Sequence, residues 1–319
     1  MEQYRCDDYY EVGREKIREF ARAIQDVHPT HWDDTAAATL GYPTLLAPLT
    51  FASSVATFAQ RAMFREATGG YEPSRLLHIE QEILFHRPIL AGDRLTWELT
   101  VNSHRAVDGG DLIVVTTVIS DRDSGPAQTV HTTLSGRRGN NVTDIIEAAQ
   151  RVSIQEIAPP IQSPRKVPAP LALPNQPDAV SPHRRELSTG HQFPRRTYRL
   201  GRGDLVNYAG VSGDNNPIHW SDTVSRTAGL ENVVAHGMLT MGLGAGYLTS
   251  QLDDPSCVRE YTVRFARTVA VNSRHPTDLE FSGTVQSINQ GERTAVIALT
   301  AQTGGHDIFS HATAKVRLA

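Results

Sequence analysis

The chain has 319 residues, 39% hydrophobic and 21% charged, with a formal net charge of −4. That length holds two domains with cores of their own, the composition is that of a soluble globular protein, and the charge excludes a global basic field for nucleic acid. The two cysteines, Cys6 and Cys257, cannot make a disulfide framework or a cysteine metal cluster and imply a reducing compartment. The polar, acidic start is unlike a signal peptide and no run reaches 18 apolar residues, so the expected setting is the cytoplasm, with no membrane or nucleic-acid partner.

In chain order, REKIREFARAI has apolar residues at helical spacing after Gly13 at the N-cap position. The turn QDVHPTHW (25–32) follows, and then a nearly uncharged stretch, LLAPLTFASSVATFAQRAMF, whose lack of a polar face predicts a helix buried all round. The segments LLHIEQEILFHRPI, RLTWELTVNSH, DLIVVTTVIS and AQTVHTTLSG alternate and are rich in β-branched residues, which predicts antiparallel strands with one face buried. Eight prolines lie between Pro159 and Pro182; such a stretch lacks the backbone donors for helix or sheet and reads as an extended linker.

After it the order repeats. GDLVNYAGV is a helix, GDNNPIHW (213–220) a turn, VVAHGMLTMGLGAGYLTSQL a buried helix, and VREYTVRFART, DLEFSGTVQSI, TAVIALTAQT and DIFSHATAKVRL are strands. Positions n and n+188 align without a gap from Gly13 to Pro48, with twelve identities that include Asp26/Asp214, Pro29/Pro217, His31/His219 and Trp32/Trp220. The chain therefore reads as a duplicated α+β unit, a buried helix with an antiparallel sheet curled round it. The expected division is 1–145 for the first unit, 146–185 for the linker and 186–319 for the second.

The chemistry concentrates in the second turn. Asn215-Asn216-Pro217 is turn material that lets Asp214 and His219 converge, and a carboxylate beside an imidazole suits acid–base work on water or a hydroxyl. Zinc would need a third ligand such as His236. Gly237 opens a buried helix, so its N–H could meet a thioester oxygen without a side chain in the way. Gly242, Gly244 and Gly246 thin one face of that helix, either for close packing or to admit a slender acyl chain. The first copy keeps Asp26 and His31 but has Ile24-Gln25 for Ser212-Gly213, His28 for Asn216 and Pro48-Leu49 for His236-Gly237; proline has no N–H and leucine crowds the approach. Asp26 and His31 are therefore a vestigial pair held as structure, or a second site. Trp32 and Trp220 read as packing anchors. Arg184, Arg185, Arg195 and Arg196 form either a solvated face or a phosphate contact.

The stretch YAGVSGDNNPIHWSD…GLENVVAHGMLTMG resembles the MaoC-like, (R)-specific enoyl thioester hydratases and dehydratases. The second half is similar to the catalytic B subunit of the actinobacterial (3R)-hydroxyacyl-ACP dehydratases, and the first half, VGREKIREFARAI…LGYPTLLAPLTF, to their A subunit. The resemblance implies a double hot dog, an A–B fusion that dehydrates (3R)-3-hydroxyacyl thioesters reversibly to trans-2-enoyl thioesters, as in fatty acid biosynthesis. Asp214 and His219 would hold the water and move protons. Gly237 would bind the thioester oxygen, with Ser212, Gly213, Asn216, Pro217 and His236 shaping the loop. Some relatives carry a helix serine where this chain has Ala245. The first half, with its helix LTFASSVATFAQ, would help bind the acyl chain. No cofactor or metal is implied. The partners would be acyl carrier protein or coenzyme A thioesters, and the chain a monomer or a homodimer. Thioester hydrolysis and non-catalytic acyl binding are the competing readings.

Overall fold

Alternation in a stretch such as TAVIALTAQT puts every second side chain on one face, and Ala295, Ile297, Leu299 and Ala301 are the buried set. The computed structural model describes residues 2–6, 8–66, 76–108, 110–137, 142–153, 165–166 and 187–318. The first half runs β1 (Glu2–Arg5), β2 (Tyr10–Glu11), α1 (Arg14–Ala23), a 3-10 turn (Pro29–His31), α2 (Asp34–Thr39), α3 (Ala52–Glu66), β3 (Leu76–Phe85), β4 (Arg94–Val107), β5 (Gly110–Asp121), β6 (Gly125–Arg137) and α4 (Val142–Val152). After β7 (Arg165–Lys166), the second half runs β8 (Gln192–Leu200), α5 (Arg202–Ser212), a 3-10 turn (Pro217–His219), α6 (Asp222–Thr227), α7 (Gly237–Thr249), β9 (Val258–Phe265), β10 (Thr277–Asn289), β11 (Thr294–Thr303), β12 (His306–Asp307) and β13 (Phe309–Arg317).

One sheet runs through both halves, in the order β7-β1-β4-β5-β6-β3-β9-β13-β11-β10-β8, with β2 on β4 and β12 on β11. Strands related by the duplication (β4 and β10, β5 and β11, β6 and β13, β3 and β9) stand at mirrored places in that order. The halves join where β3 pairs antiparallel with β9, from Glu80 opposite Arg264 to Leu84 opposite Glu260. The central helix of the first half, α3, packs on β4 and β5; α7 packs on β10 and also on β3 of the first half. The α1 and α5 helices meet at the junction, with the repeat-related rings of Phe20 and Tyr208 6.1 Å apart. This is a double hot dog in one chain, as expected.

Both helices expected after Gly13 and Gly201 start there, with each glycine as an extended N-cap. In α7 every residue from Met238 to Thr249 is buried. Leu239, Met241, Leu243 and Leu248 are fully enclosed, each stabilising by about 2 kcal/mol. Gly242 and Gly246 serve packing, not an acyl channel. A Cβ at Gly242 would lie 2.6 Å from Ile24 Cγ2, and one at Gly246 3.3 Å from Asp26 Cβ. The face they thin is occupied by the turn of the first half.

Two expectations need correction. The linker does not begin at 146: residues 142–152 form α4, because Ile145, Ala148 and Ala149 make a buried apolar stripe at helical spacing, of which Ala148 and Ala149 pack with Ile218, Val224 and Val234 of the second half. Within the proline-rich stretch, Arg165 and Lys166 pair with Arg5 and Tyr4 as a short edge strand; the rest of 154–186 lies outside the described residues. The arginine cluster is not among them: Arg195 and Arg196 belong to β8, at the other edge of the sheet, where Pro194 and charged side chains are tolerated, and the exposed Arg195 agrees with the solvated-face reading. Arg195 pairs with Glu280, and Arg196 lies over the Tyr198 ring. Arg184 and Arg185 lie outside the described residues.

Candidate active site

The second turn is built locally. Chain reversal after α5 needs a left-handed residue, and Gly213 supplies it at φ 74° without steric cost. Ser212 Oγ donates to the Tyr208 carbonyl and accepts from Asp214 N–H at 3.2 Å. Asn216 caps the 3-10 turn by accepting from Ile218 N–H, with Pro217 at its first position where the missing donor costs nothing. Asp214 Oδ1 accepts from Asn216 N–H at 3.3 Å. The Trp220 indole donates to the Asn215 carbonyl, so it anchors the loop as expected.

His219 Nδ1 lies 2.7 Å from the Val234 carbonyl oxygen. A carbonyl only accepts, so Nδ1 carries the hydrogen and Nε2 is left to face outward. His236 Nε2 donates to the Asp214 carbonyl at 3.1 Å, and its ring stacks on that of His219 at 3.7 Å and 26°. One ligand atom from each of Asp214, His219 and His236 lies within 4.8 Å of the others. Imidazole binds metal through an in-plane lone pair, and His219 Nδ1 and His236 Nε2 are each already engaged with a backbone carbonyl.

Asp214, His219 and Gly237 all line one cavity of about 390 Å³, a size that admits a small-molecule ligand. Gly237 is the first residue of α7, where no intrahelical acceptor exists for its N–H. A Cβ there would meet the Phe265 ring at 3.4 Å, in contact and without a clash. Thr57 and Gln60 of α3, Leu76 to Ile79 of β3 and Leu134 of β6 complete the wall from the first half. His78 is the residue the sequence reading misses: it faces Asp214 and His219 from the opposite half. Its signal, a histidine in an apolar strand, is common to many buried histidines.

Charge in the cavity is ordered by its surroundings. Burial pushes the Asp214 carboxyl up, and the imidazoles of His236, His219 and His78 with the Asn216 N–H outweigh it, holding Asp214 below the usual carboxylate range. Burial lowers the pKa of His219 from 6.5 against the opposing pull of Asp214. Burial and His219 bring His236 down to about 3. At neutral pH the site therefore holds an ionised Asp214 and a neutral His219, two acceptors for the hydrogens of one water. With neutral His219 as the working form, kcat/KM for hydration should stay flat as pH falls through 6.5 and drop only below it. A pH–rate profile with an acid limb centred at or above 6.5 would contradict this.

The first copy has the same skeleton and a different outcome. Gln25 takes the left-handed turn at φ 52°, and His28 Nδ1 replaces the asparagine cap by accepting from Thr30 N–H. His31 Nδ1 donates to the Leu46 carbonyl at 2.8 Å, and Nε2 lies 3.3 Å from Asp26 Oδ2. Both side chains are sealed, at 0% and 1% exposure. The hydroxyl of Thr249, on α7 of the other half, reaches Asp26 Oδ2 at 3.1 Å and Oδ1 at 3.3 Å. A protein hydroxyl thus stands against the Asp26 carboxylate, and Pro48 and buried Leu49 replace the helix amide.

Residues 3–130 match the family described as FAS1-like, dehydratase domain region, and residues 181–303 match the MaoC like domain. A solved structure described as a MaoC-like dehydratase is 40% identical, with a TM-score of 0.91 over 100% of this chain and 98% of that one. A UPF0336 protein of Mycobacterium leprae is 37% identical over 142 residues, 44% of this chain and 86% of the relative. A Mycobacterium tuberculosis protein described as having a double hot-dog fold is 14% identical at a TM-score of 0.64, covering 98% of this chain and 95% of that one; that likeness concerns the fold alone. The chain belongs to the MaoC-like dehydratase family, with two dehydratase-type units in tandem. Its activity is accordingly of the hydratase–dehydratase kind.

Proposed function

We propose that the second half catalyses the reversible dehydration of (3R)-3-hydroxyacyl thioesters to trans-2-enoyl thioesters, on an acyl carrier protein or coenzyme A handle in the cytoplasm. The observation that carries this reading is the convergence of Asp214, the outward Nε2 of His219 and the first amide of α7 on one cavity. In hydration, the water donates hydrogen bonds to Asp214 and His219 and turns a lone pair toward C3; one of its protons is transferred and the other stays on the new hydroxyl. As the C3–O bond forms, the group that takes the water proton returns a proton to C2. The C2=C3 pair becomes the C2–H bond, and the Gly237 N–H carries the charge that collects on the thioester oxygen in between. No redox step arises, since the thioester itself acidifies C2. Asp26 and His31 act as structure, and α3 with β3 lends the acyl chain a wall.

Hydrolysis on the same cavity would attack C1 instead. Incubation with crotonyl-CoA separates the two: the lyase removes the conjugated absorbance and leaves no free thiol, and a thioesterase releases the thiol with the double bond intact.

The handle should be read at the rim. Arg267 is exposed, lines the cavity mouth and pairs with no carboxylate among the described residues. A phosphate on the pantetheine arm would supply that partner. Arg267→Ala is expected to raise KM for crotonyl-CoA about ten-fold with kcat unchanged, less at high salt. An unchanged KM at low salt would remove Arg267 from the handle site.

A further inference from the structure

Resting on the hydratase reading above, the geometry points to His78 as a substrate-contacting residue: its imidazole N–H joins the Gly237 N–H in holding the thioester oxygen, so that the working site is assembled from both halves. On β3 the register against β6 slips: His78 stands opposite Leu134 and Glu80 opposite Thr133, which leaves Ile79 as the extra residue of a β-bulge. A regular strand turns every second side chain away from one face, and a bulge re-aims those beside it. Leu76, Leu77, His78 and Ile79 accordingly all reach the cavity.

His78 Cβ lies 3.6 Å from the point that a Cβ on Gly237 would occupy. The side chain therefore stands beside the first residue of α7 and shares the cavity with Asp214 and His219; the assignment places a ring N–H within hydrogen-bond reach of an oxygen held at the Gly237 amide. Burial lowers the pKa of His78, with Asp214 pulling it up and His219 pushing it down. The ring is neutral at neutral pH and keeps one N–H to donate. The carbonyl oxygen gains charge as water adds to C3, and a second donor at that point acts most strongly in the transition state.

The test compares wild type with His78→Leu, His78→Asn and His78→Gln. Loss of the donor should cut kcat for crotonyl-CoA hydration about 10²-fold in H78L, with part of it restored by whichever amide places its N–H at the oxygen. A second readout needs no turnover: affinity for saturated butyryl-CoA against its thioether analogue, which lacks the carbonyl oxygen. Wild type should prefer butyryl-CoA, and H78L should lose about ten-fold of that preference, as expected for one neutral donor hydrogen bond, while the share held by the Gly237 N–H remains. If H78L keeps both kcat and the preference, His78 is wall and the assignment fails. If both amides are as inactive as H78L while the preference survives in all three, His78 moves protons and does not hold the oxygen. Wild type that does not hydrate crotonyl-CoA but shows a preference weakened about ten-fold in H78L overturns the lyase reading and leaves His78 in place.

Discussion

Asp214→Asn should lower kcat for enoyl thioester hydration by about 10³-fold, the loss typical of a positioned acid–base group. The amide keeps an acceptor for the Asn216 N–H, so the loop folds as before. It cannot take a proton from water, and the ionised acceptor that the three imidazoles stabilise is gone. KM should move far less than kcat, since the acyl chain and the handle touch other parts of the cavity. Near-normal kcat in a folded D214N protein would mean that His219 works alone.

The second large effect falls on stability. Asp26→Ala should destabilise the fold by about 3 kcal/mol or more, the usual cost of removing one member of a buried pair. The His28 N–H loses its acceptor, the Thr249 hydroxyl is left with the Gly246 carbonyl alone, and His31 loses the carboxylate that lies 3.3 Å from its Nε2. Burial pushes the Asp26 carboxyl up, and His31, with the His28 N–H, more than reverses this, so its pKa is depressed in the folded state. A depressed carboxylate contributes stability above its unfolded value of 3.8 that is lost as pH falls through the folded one. Denaturant unfolding of wild type and D26A at neutral pH checks this. A midpoint shift that corresponds to less than about 1 kcal/mol would show that the pair is dispensable. The folded D26A protein should keep the wild-type kcat, because α7 seals the pair from the cavity.

What the sequence discloses is what is local. Asp214, Asn216, Pro217 and His219 fit within one turn, so their spacing and turn chemistry were enough to bring them together. The duplication announced two units with the same order of elements, because equal hydrophobic patterns build equal elements; the joining of their sheets at β3 and β9 was not legible. Elements whose reason lies in the other half were not legible. His78 reaches the site through a bulge and the β3–β9 junction, and neither leaves a mark in a short window. Thr249 is one threonine at the end of an apolar helix until α7 is laid against Asp26. The α4 helix looked like the start of a linker because the partners of its apolar stripe, such as Ile218, Val224 and Val234 of the second half, lie far along the chain. The β8 strand was hidden by Pro194 and by arginines that only an edge strand accepts. Gly242 and Gly246 offered packing or a channel, and the neighbours that choose packing, Ile24 and Asp26, lie in the first half.

The central claim is that one copy of the duplicated motif works and the other is structure. It is tested most directly by hydrating crotonyl-CoA in a single run with wild type, Asp214→Asn and Asp26→Asn, each confirmed as folded, and resolving the chirality of the 3-hydroxybutyryl product. The account predicts only the (3R) product, at similar kcat from wild type and D26N, and none above background from D214N. Comparable losses in D26N and D214N, or a (3S) product from wild type, would contradict it.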